Sequence, residues 1–249
     1  MFPVRLLDVA PVLRQTLLDA PPLGRLRQVI GRAMHWHYKV FLKRKHADVV
    51  LEHVEDARVL VMPGVLNPRL MRTGAYFASQ LPNGLLCGNP DVLDMGAGSG
   101  VCSVVAARSA RRVVAVDINP EAVRCTRINA QLNRVEDKVE VLQGDLFEPL
   151  QGQRFDVILF NPPFLQRAPR DDADRAWAST DVAQRFAAKL SEHLTPRGFA
   201  LLLLSSFGDP NLFLGPLRAR GCAVREIATR EFVNERLAIF KIDVSPRWS

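Results

Sequence analysis

From residue 91 onward, short apolar runs alternate with longer stretches whose apolar positions recur at helical spacing. Runs of this kind predict strands buried on both faces, and the intervening stretches predict helices that cover them. The seven predicted strands are Val92–Leu93, Val113–Val116, Val139–Leu142, Val157–Phe160, Ala200–Leu204, Ala223–Ile227 and Leu237–Ile242. The predicted helices are Val101–Ser109, Pro120–Leu132, Asp181–Leu194 and Leu212–Arg220, the third ending at the Pro196–Gly198 turn. The pattern predicts an α/β fold with a doubly wound, mostly parallel sheet.

The first part of the chain is mainly helical in pattern and is interrupted by prolines. Because proline ends or kinks a helix, Pro21-Pro22 separates two predicted helices. The predicted elements before the alternating region are helices at Val12–Ala20 and Leu23 to about Lys45, a strand at Val59–Met62 and a helix at Arg69–Leu81. We therefore expect a small helical N-terminal cap at residues 1–58 and a larger domain at residues 59–249.

The composition is that of a globular protein with a full core. The chain has 249 residues, of which 48% are hydrophobic. No apolar run reaches the ~18 residues that a membrane span requires. The first ten residues carry Arg5 and Asp8 instead of the pattern of a signal peptide. We expect a cytoplasmic protein with no membrane partner.

Cysteine and histidine positions give no metal-binding pattern. The four cysteines, Cys87, Cys102, Cys125 and Cys222, form no Cys-x-x-Cys pair, so neither a zinc site nor a disulfide framework is predicted. The cluster His35-Trp-His-Tyr38 places its histidines on different sides of a helix, which favours packing over metal binding. We expect no metal.

Positive charge is concentrated near the N-terminus. The formal net charge is +7, and residues 1–50 contain nine basic and three acidic residues. A basic cap can dock an acidic partner such as RNA, a ribosome or an acidic protein surface. A solvated helix face explains the same charges equally well.

The stretch Asp91–Gly100 predicts a strand, a glycine turn and the start of a helix. Glycines at such a turn let the backbone approach a nucleoside closely at a helix N-terminus. The third glycine follows the first by four positions, whereas the dinucleotide fingerprint requires five, which favours S-adenosylmethionine over NAD. The candidate cofactor-binding residues here are Asp94, Gly96, Ala97, Gly98 and Gly100.

Two further carboxylates follow predicted strands at the edge where open α/β sheets bind ligands. Asp117 can accept both ribose hydroxyls, because Asn119 is the better N-cap for the next helix. Asp145 can accept a hydrogen bond from the adenine amino group. The neighbouring apolar residues Ile118 and Leu146 are candidate contacts to the cofactor.

The fourth strand ends in Asn161-Pro162-Pro163-Phe164, which predicts the acceptor site. Prolines donate no N–H, so carbonyl oxygens here are free to accept. The Asn161 side-chain oxygen and the Pro162 carbonyl can each accept one N–H of a planar amino group, while Phe164 stacks on its plane. Catalysis would then consist of positioning and electrostatics, without a metal or a strong base.

These motifs resemble the class I methyltransferases of the Asn-Pro-Pro-aromatic group, and among them the protein-glutamine N5-methyltransferases that modify release factors. The resemblance covers residues 59–242. It rests on Asp94–Gly100, Ala115–Pro120, Asn129–Asn133, Asp145–Phe147 and Asn161–Phe164, preceded by Pro63–Pro68. The family implies a seven-stranded sheet with a reversed last hairpin, S-adenosylmethionine as donor and Asn161 as the residue that binds the acceptor nitrogen.

The resemblance leaves the methyl acceptor open. The glutamine enzymes usually carry tyrosine where this chain has Phe164, and a glycine-rich segment where it has Ala176–Asp181. A protein glutamine, for example one in a translation factor, is the first expectation, and an adenine-N6 or guanine-N2 amino group of rRNA, tRNA or DNA is the second. A small-molecule acceptor is a third alternative. A pseudo-enzyme that only binds the cofactor is a fourth, which the intact Asp94, Asp117 and Asn161 oppose.

Overall fold

The computed structural model describes residues 48–82, 84–163, 165–166, 178–233 and 235–244. The helices predicted at Val12–Ala20 and Leu23–Lys45 lie outside the described residues. Phe164 and Trp177 also lie outside them, so the predicted stacking role of Phe164 stays a prediction.

A seven-stranded sheet forms the centre of the described region. Its strands are β3 (Asp91–Met95), β4 (Arg112–Asp117), β5 (Val139–Gln143), β6 (Phe155–Phe160), β9 (Leu194–Ser205), β10 (Ala223–Glu231) and β11 (Arg236–Asp243). They are arranged in the order β10-β11-β9-β6-β3-β4-β5. β11 runs antiparallel to both of its neighbours, β10 and β9, and the other described strand pairs of this sheet are parallel. All seven predicted strands and the reversed last hairpin are confirmed.

In the part of the chain that the structure describes, four further strands lie outside this sheet. β1 (Val50–Val54) and β2 (Ala57–Val61) form a hairpin, while β7 (Leu165–Gln166) and β8 (Ala178–Ser179) pair in parallel. The boundary predicted between residues 58 and 59 falls inside β2, and β1 lies where a helical cap was expected. Alternating burial along the hairpin, with Ala57, Val59 and Val61 inside, explains why these residues form strands.

Among the described residues, five α-helices cover the two faces of the sheet. They are α1 (Thr73–Gln80), α2 (Val101–Ala106), α3 (Pro120–Leu132), α4 (Val182–Lys189) and α5 (Asn211–Ala219). Proline at its first position and an Asn119 cap that accepts from the Glu121 N–H start α3 at the predicted residue. The helix predicted at Asp181–Leu194 corresponds to α4. It ends at Lys189 instead of Leu194, and a 3₁₀ turn, Leu190–Glu192, follows it. The Pro196–Gly198 turn is part of the long strand β9.

Alternate residues of the central strands supply two separate cores. Val113 and Ala115 of β4 pack in the core beneath α1, α2 and α3. Val114 and Val116 pack in the core beneath α4 and α5, where Phe186 is fully buried against Phe147 and Phe160. Period-two alternation therefore divides each strand between the two helix layers. The sheet is held rigidly from both sides, and its carboxyl edge becomes a fixed platform.

Asn129 of α3 and Asn133, which caps the C-terminus of that helix, attach the hairpin to this domain. The Asn129 side chain accepts from the Leu60 N–H at 2.7 Å and donates to the Leu60 carbonyl at 2.7 Å. One helical turn later, Asn133 makes the same pair of bonds to Arg58, at 3.0 and 2.7 Å. The two asparagines are four residues apart in the chain, and their partners in β2 are two residues apart. Each amide therefore bonds to a backbone N–H and carbonyl of β2, as a neighbouring strand would.

Candidate functional site

A cleft opens at the carboxyl ends of β3, β4, β5 and β6. Chain connections lead from β3 through β4 to β5 on one side, and β6 lies on the other side of β3. Such a reversal of strand order is where open α/β sheets bind their ligands. The empty volume of the cleft, including its open mouth, is about 1280 Å³, which is ample for a nucleoside.

The glycine turn between β3 and α2 forms the floor of the cleft. The N–H groups of Gly96 and Ala97 both donate to the Val116 carbonyl, at 2.8 and 3.1 Å, which ties the turn to β4. A Cβ atom on Gly98 would meet nothing within 4 Å and would project into open space. A Cβ on Gly100 would lie 2.7 Å from the Thr126 side chain of α3. Gly98 therefore keeps space for a ligand, whereas Gly100 lets α2 pack against α3.

Asp117 stands at the end of β4 and braces the glycine turn. Its two carboxylate oxygens accept from the Gly98 N–H at 2.8 Å and from the Asn119 N–H at 2.9 Å. Burial raises the pKa of Asp117, and the hydrogen bonds from the Asn119, Gly98 and Ile118 N–H groups oppose that rise. Since a carboxylate offers about four acceptor positions, both oxygens retain capacity for hydroxyl donors in the cleft.

Asp94 lies one strand away and is more deeply buried. Its carboxylate accepts from the Ser103 hydroxyl at 2.5 Å, and the side chain lines the cleft. Burial raises the pKa of Asp94 to about 7, with hydrogen bonds from Ser103 lowering it and the nearby Asp117 charge raising it further. Two adjacent carboxylates in a partly dry cleft would be stabilised by a cationic ligand.

Asp145 and Leu146 line the opposite wall, after β5. Asp145 forms an ion pair with Arg185 of α4, with Nη1 2.9 Å from Oδ2. This hydrogen bond raises the pKa of Arg185, so the guanidinium stays charged. Leu146 has a φ of 52°, a left-handed conformation that is unusual for a leucine. The Asp145–Arg185 ion pair and the turn at Leu146 together fix the shape of this wall.

Asn161 follows β6 and faces the N-terminus of α1. Its Nδ2 donates to the Thr73 hydroxyl at 3.3 Å, which fixes the orientation of the amide. Its Oδ1 is buried, and no described residue donates a hydrogen bond to it. A buried acceptor without a partner costs about 1–3 kcal/mol, so a ligand that donates an N–H here gains that much. Pro162 beside it is buried as well.

The segment from Gly64 to Thr73 closes the cleft on the side of α1. Asn67 holds this segment in shape: its Oδ1 accepts from the Arg69 and Leu70 N–H groups at 2.9 and 3.0 Å. A Cβ on Gly74 would lie 2.9 Å from the Pro68 side chain, so glycine lets α1 approach the segment closely. Thr73 is thereby placed opposite Asn161.

The charges of the cleft select the kind of ligand it can hold. Among the described residues that line it, Asp94, Asp117 and Asp145 are carboxylates and none is basic. S-adenosylmethionine carries a sulfonium and an ammonium group against one carboxylate, so it complements this lining, whereas the pyrophosphate of a dinucleotide does not. No group of three side chains suited to a metal ion occurs within the described ranges.

Comparison with known proteins agrees with this geometry. The profile of the methyltransferase small domain family matches residues 58–212. The chain belongs to that family. It is an S-adenosylmethionine-dependent methyltransferase with the Rossmann-like fold. The helices described are all too short or too polar to cross a membrane.

Relatives of this methyltransferase act on different acceptors by name. A candidate protein N5-glutamine methyltransferase of Methanocaldococcus jannaschii is 35% identical over 151 residues, which are 57% of this chain and 75% of the relative. The ribosomal RNA small subunit methyltransferase C of Alcanivorax borkumensis is 34% identical over 155 residues, 62% of this chain and 44% of that enzyme.

A solved structure gives the same picture of the fold. The 16S rRNA N2 G1207 methyltransferase of T. thermophilus, in complex with AdoMet and guanosine, superposes with a TM-score of 0.58 at 24% identity. The match covers 80% of this chain and 50% of that one. The methyltransferase described here thus spans about half the length of both ribosomal RNA enzymes.

The structure brings most of the sequence-predicted site residues of this methyltransferase together. The residues that line the cleft are Asp94, Gly96, Ala97, Gly98, Asp117, Ile118, Asp145, Leu146, Asn161, Pro162 and Pro163. Gly100 does not line it and packs against Thr126 instead. The sequence did not predict three residues of the site, Thr73, Ser103 and Arg185. Their partners, Asn161, Asp94 and Asp145, are 88, 9 and 40 positions away in the chain. Only Ser103 gave a local signal, as a polar residue on the buried face of α2.

Proposed function

We propose that this methyltransferase transfers a methyl group to a planar side-chain amide nitrogen, and that the acceptor is a glutamine of a protein. The observation that carries the proposal is the Asn161 side chain, whose Oδ1 is buried and accepts from no described residue. Because Nδ2 donates to the Thr73 hydroxyl, the amide is oriented, and its oxygen is the atom that a ligand in the cleft could bind as an acceptor. An acceptor nitrogen that carries hydrogens is the group this arrangement would bind.

The backbone beside Asn161 supports the same conclusion. Pro162 and Pro163 have no N–H, so neither can compete for the Asn161 oxygen or block the Pro162 carbonyl. One N–H of the substrate amide would bind Asn161 Oδ1 and the other the Pro162 carbonyl. With both hydrogens held in a plane, the nitrogen lone pair is turned out of that plane, where it can attack in line.

The cofactor-binding role is proposed for the residues around the glycine turn. Asp117 would accept the ribose hydroxyls, Asp145 the adenine amino group, and Ile118 and Leu146 would contact the adenine. S-adenosylmethionine, when bound, supplies an activated methyl on a sulfonium sulfur. Asp94, Gly96, Ala97 and Gly98 would surround its methionine portion, with Gly98 open to close approach. Transfer forms the N–CH₃ bond, breaks the S–CH₃ bond and releases one amide proton to solvent.

A nucleic-acid base is the second candidate acceptor, because adenine N6 and guanine N2 are also planar amino groups. The similarity to the A. borkumensis ribosomal RNA enzyme favours it, as does the basic character of residues 1–50. A nucleic-acid substrate predicts a steep loss of affinity with salt, since each phosphate contact releases counterions. The docking role of residues 1–47 stays a prediction, because they lie outside the described residues.

The test is to incubate the full chain with methyl-labelled S-adenosylmethionine and a cell extract, then to divide the product before counting. Label that survives nuclease and is lost to protease supports the glutamine acceptor, and amino-acid analysis should then give N5-methylglutamine. The opposite pattern replaces the protein acceptor with a base. An Asn161→Ala enzyme processed in parallel controls for methylation by enzymes of the extract.

A further inference from the structure

Arg185 makes contacts that the catalytic scheme above leaves unused. Its Nη1 lies 2.9 Å from Asp145 Oδ2 and 3.8 Å from Asp181 Oδ2, and its Nη2 lies 3.6 Å from Glu148 Oε1. One guanidinium therefore joins three carboxylates from two separate parts of the chain. Asp145 and Glu148 belong to the turn after β5, whereas Asp181 immediately precedes α4.

These two parts meet at the cleft from different directions. The turn after β5 contributes Asp145 and Leu146 to the wall of the cleft, and α4 contributes Val182 to the same cleft, which Pro163 of the acceptor site also lines. Arg185 lies one helical turn after Asp181, and its N–H donates to the Asp181 carbonyl at 3.0 Å. The guanidinium thus links the wall next to the proposed adenine site with the helix start next to the proposed acceptor site.

Among the charges of this cluster, Asp145 has the closest contact and the lowest exposure. Its side chain is 31% exposed and that of Arg185 is 38% exposed, whereas Asp181 and Glu148 are 60% and 70% exposed. Ion pairs between exposed groups contribute little, but a charge-assisted hydrogen bond between half-buried groups fixes geometry. Arg185 occupies Oδ2 of Asp145 and holds the carboxylate in one rotamer, which leaves Oδ1 for a ligand.

We propose that Arg185 is a positioning residue that aims Asp145 at the adenine amino group of S-adenosylmethionine and so sets selectivity for adenine. The proposal rests on the cofactor-site assignment made above and does not depend on which acceptor is methylated. Arg185 itself would act through Asp145 and need not touch the cofactor. Without the guanidinium, the carboxylate would rotate freely, and recognition of the amino group would weaken.

Binding of two ligands by calorimetry tests this directly. The probes are S-adenosylhomocysteine and S-inosylhomocysteine, in which a carbonyl oxygen replaces the adenine amino group. For the Arg185→Met protein we expect the dissociation constant for S-adenosylhomocysteine to rise about tenfold, with a much smaller change for the inosine analogue. Selectivity between the two therefore falls. Arg185→Lys should retain part of the selectivity, because it keeps the charge without the planar fork.

Two controls separate positioning from a general loss of structure. Lys189→Met, at the last residue of the same helix, removes the ion pair with Glu192 of the following 3₁₀ turn, where Nζ lies 2.9 Å from Oε2. It should leave both dissociation constants unchanged. Asp145→Asn should lower selectivity as Arg185→Met does, and the double variant should lower it no further, because the two residues act as one unit.

The proposal is overturned if the ratio of the two dissociation constants stays at its wild-type value in Arg185→Met, whether or not both ligands bind more weakly. It is also overturned if the two substitutions lower selectivity additively in the double variant. If the wild-type protein binds neither probe, the cofactor-site assignment fails instead, and that result is distinct from each of these.

Discussion

The hydroxyl of Ser103 lies 2.5 Å from a carboxylate oxygen of Asp94, and both residues are buried. Burial raises the pKa of Asp94 from 3.8 to about 7. Between these two values the folded protein holds a proton that the unfolded chain has released, so the free energy of unfolding falls as pH rises. Above about pH 7 this contribution becomes constant. The ligand-free enzyme is thus expected to be more stable near pH 5 than near pH 8.

Chemical denaturation of the ligand-free enzyme at several pH values measures this effect. A pKa difference of one unit corresponds to about 1.4 kcal/mol, so Asp94 lowers the free energy of unfolding by at most roughly 4 kcal/mol over this pH range. Asp94→Asn should flatten the profile, leaving a smaller slope of the same sign from Asp117, whose pKa burial also raises. A profile that is unchanged by the substitution would show that Asp94 is ionised throughout this range.

Alanine in place of two glycines of the same turn should separate ligand space from packing. Gly98 and Gly100 both have positive φ values, 57° and 75°, so each substitution carries a similar backbone cost of about 1–2 kcal/mol. Gly98→Ala adds only this, and its main effect should be weaker cofactor binding. Gly100→Ala adds an overlap with Thr126, so we expect a further loss of about 1–3 kcal/mol in stability. Equal loss of stability in the two variants would contradict this division.

Asp117→Ala should weaken S-adenosylmethionine more than it lowers turnover at saturation. The substitution removes the proposed ribose acceptor and also releases the Gly98 N–H, to which Asp117 is bonded at 2.8 Å. Hydrogen bonds to a charged group contribute about 1.5–3 kcal/mol, so the dissociation constant is expected to rise between roughly 10- and 150-fold. Titration calorimetry gives the value. A 2′,3′-dideoxyribose analogue of S-adenosylhomocysteine should lose much less affinity from the same substitution than S-adenosylhomocysteine does.

Replacement of Asn129 should lower the free energy of unfolding more than replacement of Asn133, the C-cap of α3. Asn129 is fully buried and bonds to Leu60 and to the Ser99 carbonyl, so Asn129→Ala leaves buried backbone groups without partners. We expect a loss of about 2–4 kcal/mol in urea denaturation. Asn133 bonds to Arg58 at a more exposed position, and Asn133→Ala should cost about 1 kcal/mol or less. The reverse order would mean that the hairpin is held in another way.

The strands β4, β6 and β9 were predictable because each contains a compact apolar run. Helix α3 was predictable to the residue because Asn119, Pro120 and the apolar spacing agree. The end of α4 was not predictable, since Leu190 and Leu194 continue the apolar pattern through the change from helix to strand. The placement of the aspartates at the carboxyl edge of the sheet could be predicted from the ends of the strands alone. Contacts such as Asn161 with Thr73 depend on how α1 approaches β6, and no local pattern encodes that approach.

The most direct test of the proposed chemistry is to measure turnover and cofactor affinity together for Asn161→Ala on the methyl acceptor identified by labelling. Loss of one hydrogen bond made to the reacting group in a buried site lowers turnover by roughly 100- to 1000-fold. We predict a fall of that size with little change in the dissociation constant of S-adenosylmethionine, and no effect of Asn211→Ala at the exposed start of α5. Near-normal turnover of Asn161→Ala would contradict the assignment of Asn161 as the residue that binds the acceptor nitrogen.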